Sequence, residues 1–287
     1  MDINRFNQCG FVQQKWLFTT IAILYSTYIP AQSKTALLVI DVQNCFLPGG
    51  TLPVTDGDDV IPIINNIRRK YAQQIDMTVF SQDWHCDNHV SFASEHDGHN
   101  NYDVIPLSYT STGKLCTSND NQCPITVNQT LWPDHCIINS TDAKFSSQLK
   151  IEDEDIVVRK GYNCQVDSYS AFYDNGGFSK TELENILGRH DISTVIVTGL
   201  ALDFCVYYTS KDAKKIGYEV YTVLDASRPV NSNNVPSILN DLKSRGVHVI
   251  NSIDLDKVIA SSTACVFDPV IHQTLLLCSL FVLYFIY

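Results

Sequence analysis

Residues 36–42 read ALLVIDV, an apolar run that closes on an aspartate and a valine. Such a short, continuous run is typical of a β-strand that is buried on both faces of a sheet. Similar runs recur along the chain with helical patterns between them. The runs lie at 77–80, 155–160, 194–199, 219–226 and 247–250, and the helical patterns at 59–72, 179–189, 203–216 and 235–245. This alternation predicts an α/β fold, a single-domain three-layer α/β/α structure with a mostly parallel central sheet.

Polar side chains stand at or just after the ends of several predicted strands. They are Asp41, Asp83, His85, Lys160 and Cys205. In open parallel sheets, ligands bind beyond the carboxyl ends of the strands. We therefore expect these five side chains to meet at one edge of the sheet.

The stretch DWHCDNH, residues 83–89, has the composition of a metal site. Residues two apart on an extended chain point to the same side, so Asp83 and His85 can face one ion. His89 can reach the same place from the following turn. Two histidines and a carboxylate suit zinc or a similar divalent metal. A polar loop that merely contains two histidines is the alternative.

Cys205 lies in GLALDFC, residues 199–205, close to the start of a predicted helix. A helix N-terminus and a nearby cation such as Lys160 both stabilise a thiolate. Asp41 can take the thiol proton and pass it to a leaving amine. Backbone N–H groups within residues 201–205 can bind an oxyanion. A buried core cysteine, a capping aspartate and a solvated lysine are the alternatives.

The composition limits the classes of partner. The chain has 287 residues, a hydrophobic fraction of 45% and a formal net charge of −11. A core of ordinary size can form. Nucleic-acid binding is not expected, because such proteins carry clustered lysine and arginine.

The N-terminal residues 1–33 have the layout of a signal peptide. The uncharged run WLFTTIAILYSTYI at 16–29 follows Arg5 and Lys15 and is followed by the small residues of PAQS at 30–33. The run is short for a membrane span. A buried N-terminal helix is the alternative.

The C-terminal region 256–287 has the three parts of a GPI-attachment signal. Small residues at 261–264 precede a mixed spacer and the apolar run Leu275–Tyr287. Attachment at Ser262, with removal of the chain after it, leaves a spacer of the usual length of about 8–12 residues. The expected location is the outer face of the plasma membrane, through a lipid anchor. A short tail anchor or a buried C-terminal helix is the alternative.

Export also gives meaning to other residues. An oxidising compartment favours disulfides, and Cys116 and Cys123 flank a short polar loop that suggests a local pair. Asn128 and Asn139 each begin an Asn-x-Ser/Thr glycosylation sequence.

Five motifs give the chain a resemblance to a known family. They are DVQNCF (41–46), DWHCDNH (83–89), LWPDHC (131–136), RKGYNCQVDSYSAF (159–172) and GLALDFC (199–205). In order and residue type, they resemble the motifs of nicotinamidases, which are isochorismatase-like cysteine hydrolases. The resemblance covers about residues 35–252, and it implies a catalytic domain at 34–255. It also implies hydrolysis of nicotinamide to nicotinate and ammonia through a cysteine thioester.

The resemblance assigns roles to single residues. It implies a triad of Asp41, Lys160 and Cys205. It also implies one divalent metal ion, with zinc expected. The ion would be held by Asp83, His85 and His135, and His89 matches a histidine that ligates metal in some members only.

The family pattern also places the substrate. It implies a cis peptide before Ala201, with the amides of Ala201 and Cys205 as the oxyanion hole. Phe46 and Trp84 would line the pocket of the pyridine ring.

The chain departs from the family pattern at several points. Cys45 stands where an acidic residue is common, Cys86 where proline is common, and residues 108–128 resemble an insertion. Because their motifs meet at the site, we expect Cys45 and Cys86 to pair with each other. Cys136 belongs to a shared motif and is expected to be a buried free thiol.

Two other functions stay open at this point. One is a related cysteine amidase that acts on another small amide. The other is an inactive, surface-anchored zinc-binding protein with the same fold. The sequence also leaves open whether the chain forms a homo-oligomer.

Overall fold

A computed structural model describes residues 33–118, 120 and 122–263. The predicted signal segment, apart from its last residue, and the run Leu275–Tyr287 lie outside the described residues. Ser262, the predicted attachment residue, lies in the last described helix, Leu255–Thr263. Residues Ser33–Ser261 form one compact unit, and the second unit, 1–32 with 262–287, is described only at Ser262 and Thr263. No helix within the described ranges is long and apolar enough to cross a membrane.

A six-stranded parallel sheet forms the centre of the compact unit. The strands of the described chain are β1 Lys34–Ile40, β2 Met77–Asp83, β3 Val104–Tyr109, β4 Ile125–Thr130, β5 Ile156–Lys160, β6 Ile192–Leu200, β7 Glu219–Arg228 and β8 His248–Ile250. The order in the sheet is β5-β2-β1-β6-β7-β8, and every neighbouring pair is parallel. The predicted α/β class with a mostly parallel sheet is confirmed.

Helices flank the sheet and bury apolar faces against it. They are α1 Val60–Lys70, α2 Leu183–Arg189, α3 Tyr207–Ile216, α4 Val235–Ser244 and α5 Leu255–Thr263. In α1, Val60, Ile64 and Ile67 are buried at helical spacing, so one side of the helix faces the core. The predicted helical patterns contain α1 to α4, whereas α5, apart from Leu255, falls in the region 256–287 that is predicted as a C-terminal signal.

Strand β1, which contains the run ALLVI, lies inside the sheet and is almost completely buried. Every side chain from Ala36 to Ile40 is at most 1% exposed, because β1 has β2 on one side and β6 on the other. At the end of this strand, Gly199 of β6 adopts a positive φ of 110°. A Cβ atom at Gly199 would collide with the carbonyl oxygen of Ile40. Glycine therefore lets β6 end directly beside the start of the segment that carries Asp41.

Strands β3 and β4 form a separate antiparallel hairpin, with Leu107 opposite Val127. A small apolar cluster beneath it includes Tyr109 and Val166. The segment 108–128, predicted as an insertion, is therefore the end of β3, the connecting loop and most of β4. The prediction missed this hairpin, because Pro106 interrupts β3 and both strands are only partly buried.

Candidate active site

The structure brings the residues that follow the strands together. Asp41 comes directly after β1, with a positive φ of 48°, and Asp83 is the last residue of β2. Lys160 is the last residue of β5, and Cys205 lies in the short π-helical turn Leu202–Val206 between β6 and α3. All four side chains are buried at the carboxyl-terminal edge of the sheet, where the strand ends were expected to bring them together.

Lys160 is the centre of this cluster. Its Nζ lies 2.9 Å from Oδ2 of Asp41, 3.0 Å from Oδ1 of Asp83 and 3.4 Å from Sγ of Cys205. It also donates a hydrogen bond to the carbonyl oxygen of Ser168 at 2.9 Å. Burial by itself would lower the pKa of Lys160, but the carboxylates of Asp41 and Asp83 raise it well above its usual value. The side chain is therefore a buried, permanent ammonium.

The ammonium of Lys160 opposes the effect of burial on the pKa values of both Cys205 and Asp41. Burial raises the pKa of the Cys205 thiol well above its usual value, and Lys160 only partly opposes the shift. Burial likewise raises the pKa of Asp41, again against Lys160, while Ser81 donates a hydrogen bond of 2.7 Å to Oδ1. A hydrogen bond to Asp41 contributes to the raised pKa of the thiol. The thiol therefore rests protonated, with a carboxylate in place to accept its proton.

Beside this cluster, Asp83, His85 and His135 form a group that fits a metal ion. Their ligand atoms lie within 4.8 Å of one another, and all three residues are buried. Nε2 of His85 lies 3.0 Å from Oδ2 of Asp83, and Nε2 of His135 lies 3.5 Å from the same oxygen. Burial by itself would raise the pKa of Asp83, but His85 and Lys160 lower it well below its usual value. The carboxylate is therefore ionised, as a ligand must be.

The second nitrogen of each ring fixes its orientation. Nδ1 of His85 lies 2.9 Å from the carbonyl oxygen of Gly161, and Nδ1 of His135 lies 2.8 Å from that of Pro133. A ring nitrogen beside a carbonyl must carry the proton, so Nε2 is the nitrogen of each ring that is available to a metal ion. One carboxylate and two oriented imidazoles form a donor set for zinc or a similar divalent ion.

Gly161 makes room for His85. Its φ of 66° is in the left-handed region, and an added Cβ would lie 2.5 Å from Cε1 of His85. Glycine directly after Lys160 thus allows the backbone carbonyl to approach the imidazole.

His89 lies against the metal group but not within it. Its ring centroid is 4.0 Å from that of His85, and Nδ1 lies 2.7 Å from Oγ of Ser91. Nε2 is buried without a hydrogen-bond partner, and His85, His89 and Asp167 form a second set of ligand atoms within 4.8 Å. Burial lowers the pKa of His89 well below its usual value, so the ring is neutral.

Gln43 was not among the predicted site residues, although it lies in the DVQNCF motif. Its Nε2 donates to the carbonyl oxygen of Asp83 at 2.8 Å, and its Oε1 accepts from the amide of Asp83 at 2.7 Å. Gln43 thereby fixes the segment after β1 to the end of β2.

A narrow cavity with aromatic walls opens onto Cys205, Asp83 and His135. The aromatic residues that line it are Phe46, Trp132, Tyr169 and Phe204. Phe46 thus lies where the sequence places it. Trp132 and Phe204 were missed, although each lies within a quoted motif, three residues before His135 and one before Cys205.

The prediction for Trp84 is wrong. Trp84 does not line the cavity; its ring lies under the guanidinium of Arg159, 4.2 Å from Cζ to the ring centroid. Because side chains alternate along a strand, Asp83 and His85 face the site while Trp84 points away from it.

The turn between β6 and Cys205 has the backbone that the resemblance implies. The peptide between Leu200 and Ala201 is cis, and Ala201 lines the cavity with Cys205. Asp203, in the same turn, accepts hydrogen bonds from the amides of Val230 at 2.8 Å and Asn231 at 3.0 Å. Val230 also lines the cavity. Its hydrogen bond to Asp203 therefore fixes one wall of the cavity to the turn that carries Cys205.

Comparison with known proteins identifies the family to which this chain belongs. The isochorismatase domain model matches residues 35–254. This chain belongs to the isochorismatase family. A nicotinamidase from Acinetobacter baylyi is 36% identical over 221 residues, which is 77% of this chain and 94% of that protein. A nicotinamidase from Escherichia coli is 42% identical over 196 residues, 68% of this chain and 84% of that protein.

Solved structures of isochorismatase-family enzymes agree. A nicotinamidase/pyrazinamidase from Acinetobacter baumanii has a TM-score of 0.68 and 37% identity, covering 79% of this chain and 99% of its own. A pyrazinamidase from Pyrococcus horikoshii in complex with zinc has a TM-score of 0.59 and 29% identity, covering 76% and 99%. Membership and these relatives identify the chain as a hydrolase that acts on amides.

Within this isochorismatase-family chain, the described residues contain three disulfides. Cys116 is bonded to Cys123, the pair that the sequence indicates. The other pairs are Cys45–Cys136 and Cys86–Cys164. The predicted Cys45–Cys86 pair and the predicted free thiol at Cys136 are therefore wrong. The buried Cys205 is the one free cysteine among the described residues.

Asn128 and Asn139, the predicted glycosylation residues, are both exposed. Asn128 lies on β4 opposite Pro106 of β3, and Asn139 follows the His135 segment with a positive φ of 65°. Both positions are accessible to a modifying enzyme.

Proposed function

We propose that this chain hydrolyses nicotinamide to nicotinate and ammonia. The observation that carries the proposal is the position of Lys160 Nζ, which lies within 3.4 Å of Asp41, Asp83 and Cys205. One buried lysine thereby joins a nucleophile and its base to the group that fits a metal. The relatives that are named nicotinamidases support the choice of substrate.

The first half of the reaction forms a thioester. Asp41 accepts the thiol proton of Cys205, and Sγ attacks the carbonyl carbon of the amide. The carbonyl oxygen takes the negative charge. When the carbon–nitrogen bond breaks, Asp41 returns the proton to the nitrogen, and ammonia leaves.

The second half consumes one water molecule. Asp41 takes a proton from the water, and the resulting hydroxide attacks the thioester carbon. The carbon–sulfur bond then breaks, the thiolate of Cys205 recovers a proton from Asp41, and nicotinic acid leaves and loses its remaining proton to solvent to give nicotinate. No net proton or electron is left on the protein.

Two features stabilise the charges that form along this path. The ammonium of Lys160 lies 3.4 Å from Sγ and 2.9 Å from Asp41, so it stabilises the thiolate and the carboxylate in turn. The amides of Ala201 and Cys205 would form the oxyanion hole for the tetrahedral intermediate, because both residues line the cavity at the nucleophile turn.

Phe46, Trp132 and Phe204 would hold the pyridine ring between apolar walls. Trp132 and Phe204 pack edge to face at 4.7 Å, which makes a rigid surface for a flat substrate.

Asp83, His85 and His135 would hold one divalent ion, with zinc expected. When bound, the ion would supply a Lewis acid for the pyridine nitrogen and so orient the ring.

We also propose that the enzyme enters the secretory pathway and faces the outside of the cell through a lipid anchor at Ser262. The three disulfides support this location, because they are rare in reducing compartments. The exposed Asn128 and Asn139 are consistent with glycosylation. Release of activity from intact cells by phosphatidylinositol-specific phospholipase C is expected. Peptides from 275–287 in the mature protein would contradict the anchor.

The decisive assay measures ammonia release from nicotinamide by the purified enzyme with added zinc. Activity is expected in the wild type and should be lost in Cys205→Ala. Release of ammonia from other small amides, but not from nicotinamide, would instead indicate a related amidase. Zinc binding without any hydrolysis would indicate a binding protein.

A further inference from the structure

Two disulfides lie directly beside the histidines of the metal group. Cys86 follows His85 and is bonded to Cys164. Cys136 follows His135 and is bonded to Cys45, which precedes Phe46 of the cavity wall. In each pair the Cα atoms lie within 6 Å, at 5.8 and 5.5 Å respectively, so each bond fixes two backbone segments close together.

The segments joined in this way have little regular structure of their own. Asp83 and Lys160 end strands of the sheet, but His135 and Cys136 lie between β4 and β5 in residues 131–155, where the structure has no helix or strand. The amide of His85 donates to the carbonyl of Cys136 at 3.1 Å, and that of Ile138 donates to the carbonyl of His85 at 2.8 Å. These two hydrogen bonds hold one histidine segment against the other, and the Cys45–Cys136 disulfide ties the His135 segment to the segment that follows β1.

Residues 161–182, which follow Lys160, also have no helix or strand in the structure. The carbonyl of Gly161 orients the ring of His85, and the amide of Val90 donates to the carbonyl of Cys164 at 2.9 Å. The Cys86–Cys164 bond therefore ties the segment that carries His85 to the segment that orients its ring.

We propose that Cys45, Cys86, Cys136 and Cys164 are positioning residues for the metal group. Their two disulfides hold the imidazoles of His85 and His135 around Asp83, a task that strands perform for Asp83 itself. This inference rests on the proposed metal site, and it makes metal binding depend on the oxidation state of these four cysteines. Opening either disulfide should weaken metal binding and the binding of substrate, while the thiol of Cys205 and its neighbours stay in place.

The chain contains its own control. The Cys116–Cys123 disulfide closes a short loop between β3 and β4, and neither cysteine adjoins a residue of the site. Opening this third disulfide should leave the metal group unchanged.

The experiment compares three double variants with the full-length wild type: Cys86→Ala/Cys164→Ala, Cys45→Ala/Cys136→Ala and Cys116→Ala/Cys123→Ala. Zinc affinity is measured by competition with a chelating dye, at a temperature where circular dichroism shows each protein folded. The first two variants should bind zinc at least about tenfold more weakly, the usual range for losing support around a metal ligand. KM for nicotinamide at fixed zinc should rise more than kcat falls. The third variant should match the wild type in both.

Partial reduction provides a second measurement if a double variant does not fold. Cys45 and Cys136 are fully buried, whereas Cys86 and Cys164 are partly exposed, so a phosphine reductant should open Cys86–Cys164 first. Alkylation and mass spectrometry identify the open pair, and zinc loss should follow the opening of that pair.

Unchanged zinc affinity in a folded variant that lacks a site disulfide would overturn the inference. Equal weakening in the Cys116→Ala/Cys123→Ala protein would do so as well, because it would show a general loss of stability. A wild type that binds zinc but releases no ammonia from nicotinamide would refute the proposed function alone, since zinc affinity still tests the disulfides. A wild type that binds no zinc would refute the inference, whereas ammonia release alone decides the proposed function.

Discussion

The carboxylate of Asp83 is shared between Lys160 and the histidines. Its Oδ1 lies 3.0 Å from Nζ of Lys160, and its Oδ2 lies 3.0 Å from Nε2 of His85. One side chain therefore connects the ammonium beside the nucleophile with the group that would hold the metal. Substitutions at Asp83 should disturb both parts of the site, whereas substitutions at His135 should disturb one.

Asp83→Asn tests this shared role. The amide keeps the shape but loses the charge that balances Lys160, so both zinc binding and kcat should fall. His135→Ala removes a ligand, so zinc affinity should fall by more than the roughly 10–100-fold that is usual for losing a partner of a ligand. Excess zinc should still restore much of kcat. Zinc titration and kinetics at saturating zinc measure the difference. Full recovery of Asp83→Asn in excess zinc would show that its contact with Lys160 does not matter for turnover.

Substitutions in the triad should remove turnover, and Cys205→Ala should leave the metal group intact. Cys205→Ala, Asp41→Asn and Lys160→Ala should each lower kcat by at least about a thousandfold, as is usual when a nucleophile or its base is lost. Initial rates of ammonia release measure this, and zinc stoichiometry is the control for Cys205→Ala. Near-normal turnover by Cys205→Ala would end the interpretation as a cysteine hydrolase.

His135 and His89 should differ in their importance for the metal. His135 belongs to the set with Asp83 and His85, while His89 is in van der Waals contact with His85 and belongs to a second set. A chelator should remove the metal and abolish activity reversibly. After dialysis, His135→Ala should retain less metal than His89→Ala, as elemental analysis can show. The reverse order would make His89 the third ligand.

The parts of the fold and site that the sequence predicts are those governed by local pattern. The buried run at 36–40 is typical of a central strand, and once the strands are parallel, the end of each one brings its polar residue to the same edge. Alternation of side chains along β2 also predicts the orientation of Trp84, because Trp84 must point away from Asp83 and His85. The family resemblance implies the opposite orientation for Trp84, and the structure contradicts it.

The disulfide pairs depend on distances that no local pattern contains. Cys45 and Cys136 are separated by 91 positions, and Cys86 and Cys164 by 78. Which loops touch is decided by the paths of residues 131–155 and 161–182, where neither helical nor strand periodicity exists. The short Cys116–Cys123 loop is different, because its seven-residue separation brings the two cysteines together by itself.

Trp132 and Trp84 offer a test of the cavity wall. Trp132 lines the cavity and packs on Phe204, while Trp84 lies under Arg159 away from it. Trp132→Leu should raise KM for nicotinamide about tenfold or more, since it removes an aromatic contact of about 0.5–1.5 kcal/mol together with buried area. Trp84→Leu is the matched control and should change KM little. Equal effects of both substitutions would mean that the cavity wall is wrongly assigned.

Gly161 allows the closest test of how His85 is oriented. A methyl group at this position would lie 2.5 Å from Cε1 and 2.8 Å from Nδ1 of His85, so Gly161→Ala should push the imidazole away from Asp83. Zinc affinity should fall by roughly 10–100-fold, the usual cost of disturbing a partner of a metal ligand. Gly177→Ala is the matched control, because Gly177 has a similar φ of 70° but no atom within 4 Å of an added Cβ. Both substitutions cost about 1–2 kcal/mol of backbone strain, which thermal unfolding measures. The difference in zinc affinity therefore reports the contacts of the added methyl group with His85 and, at 3.0 Å, with Oδ1 of Asp83. Equal zinc affinity in the two variants would show that the ring of His85 does not depend on the space that Gly161 leaves.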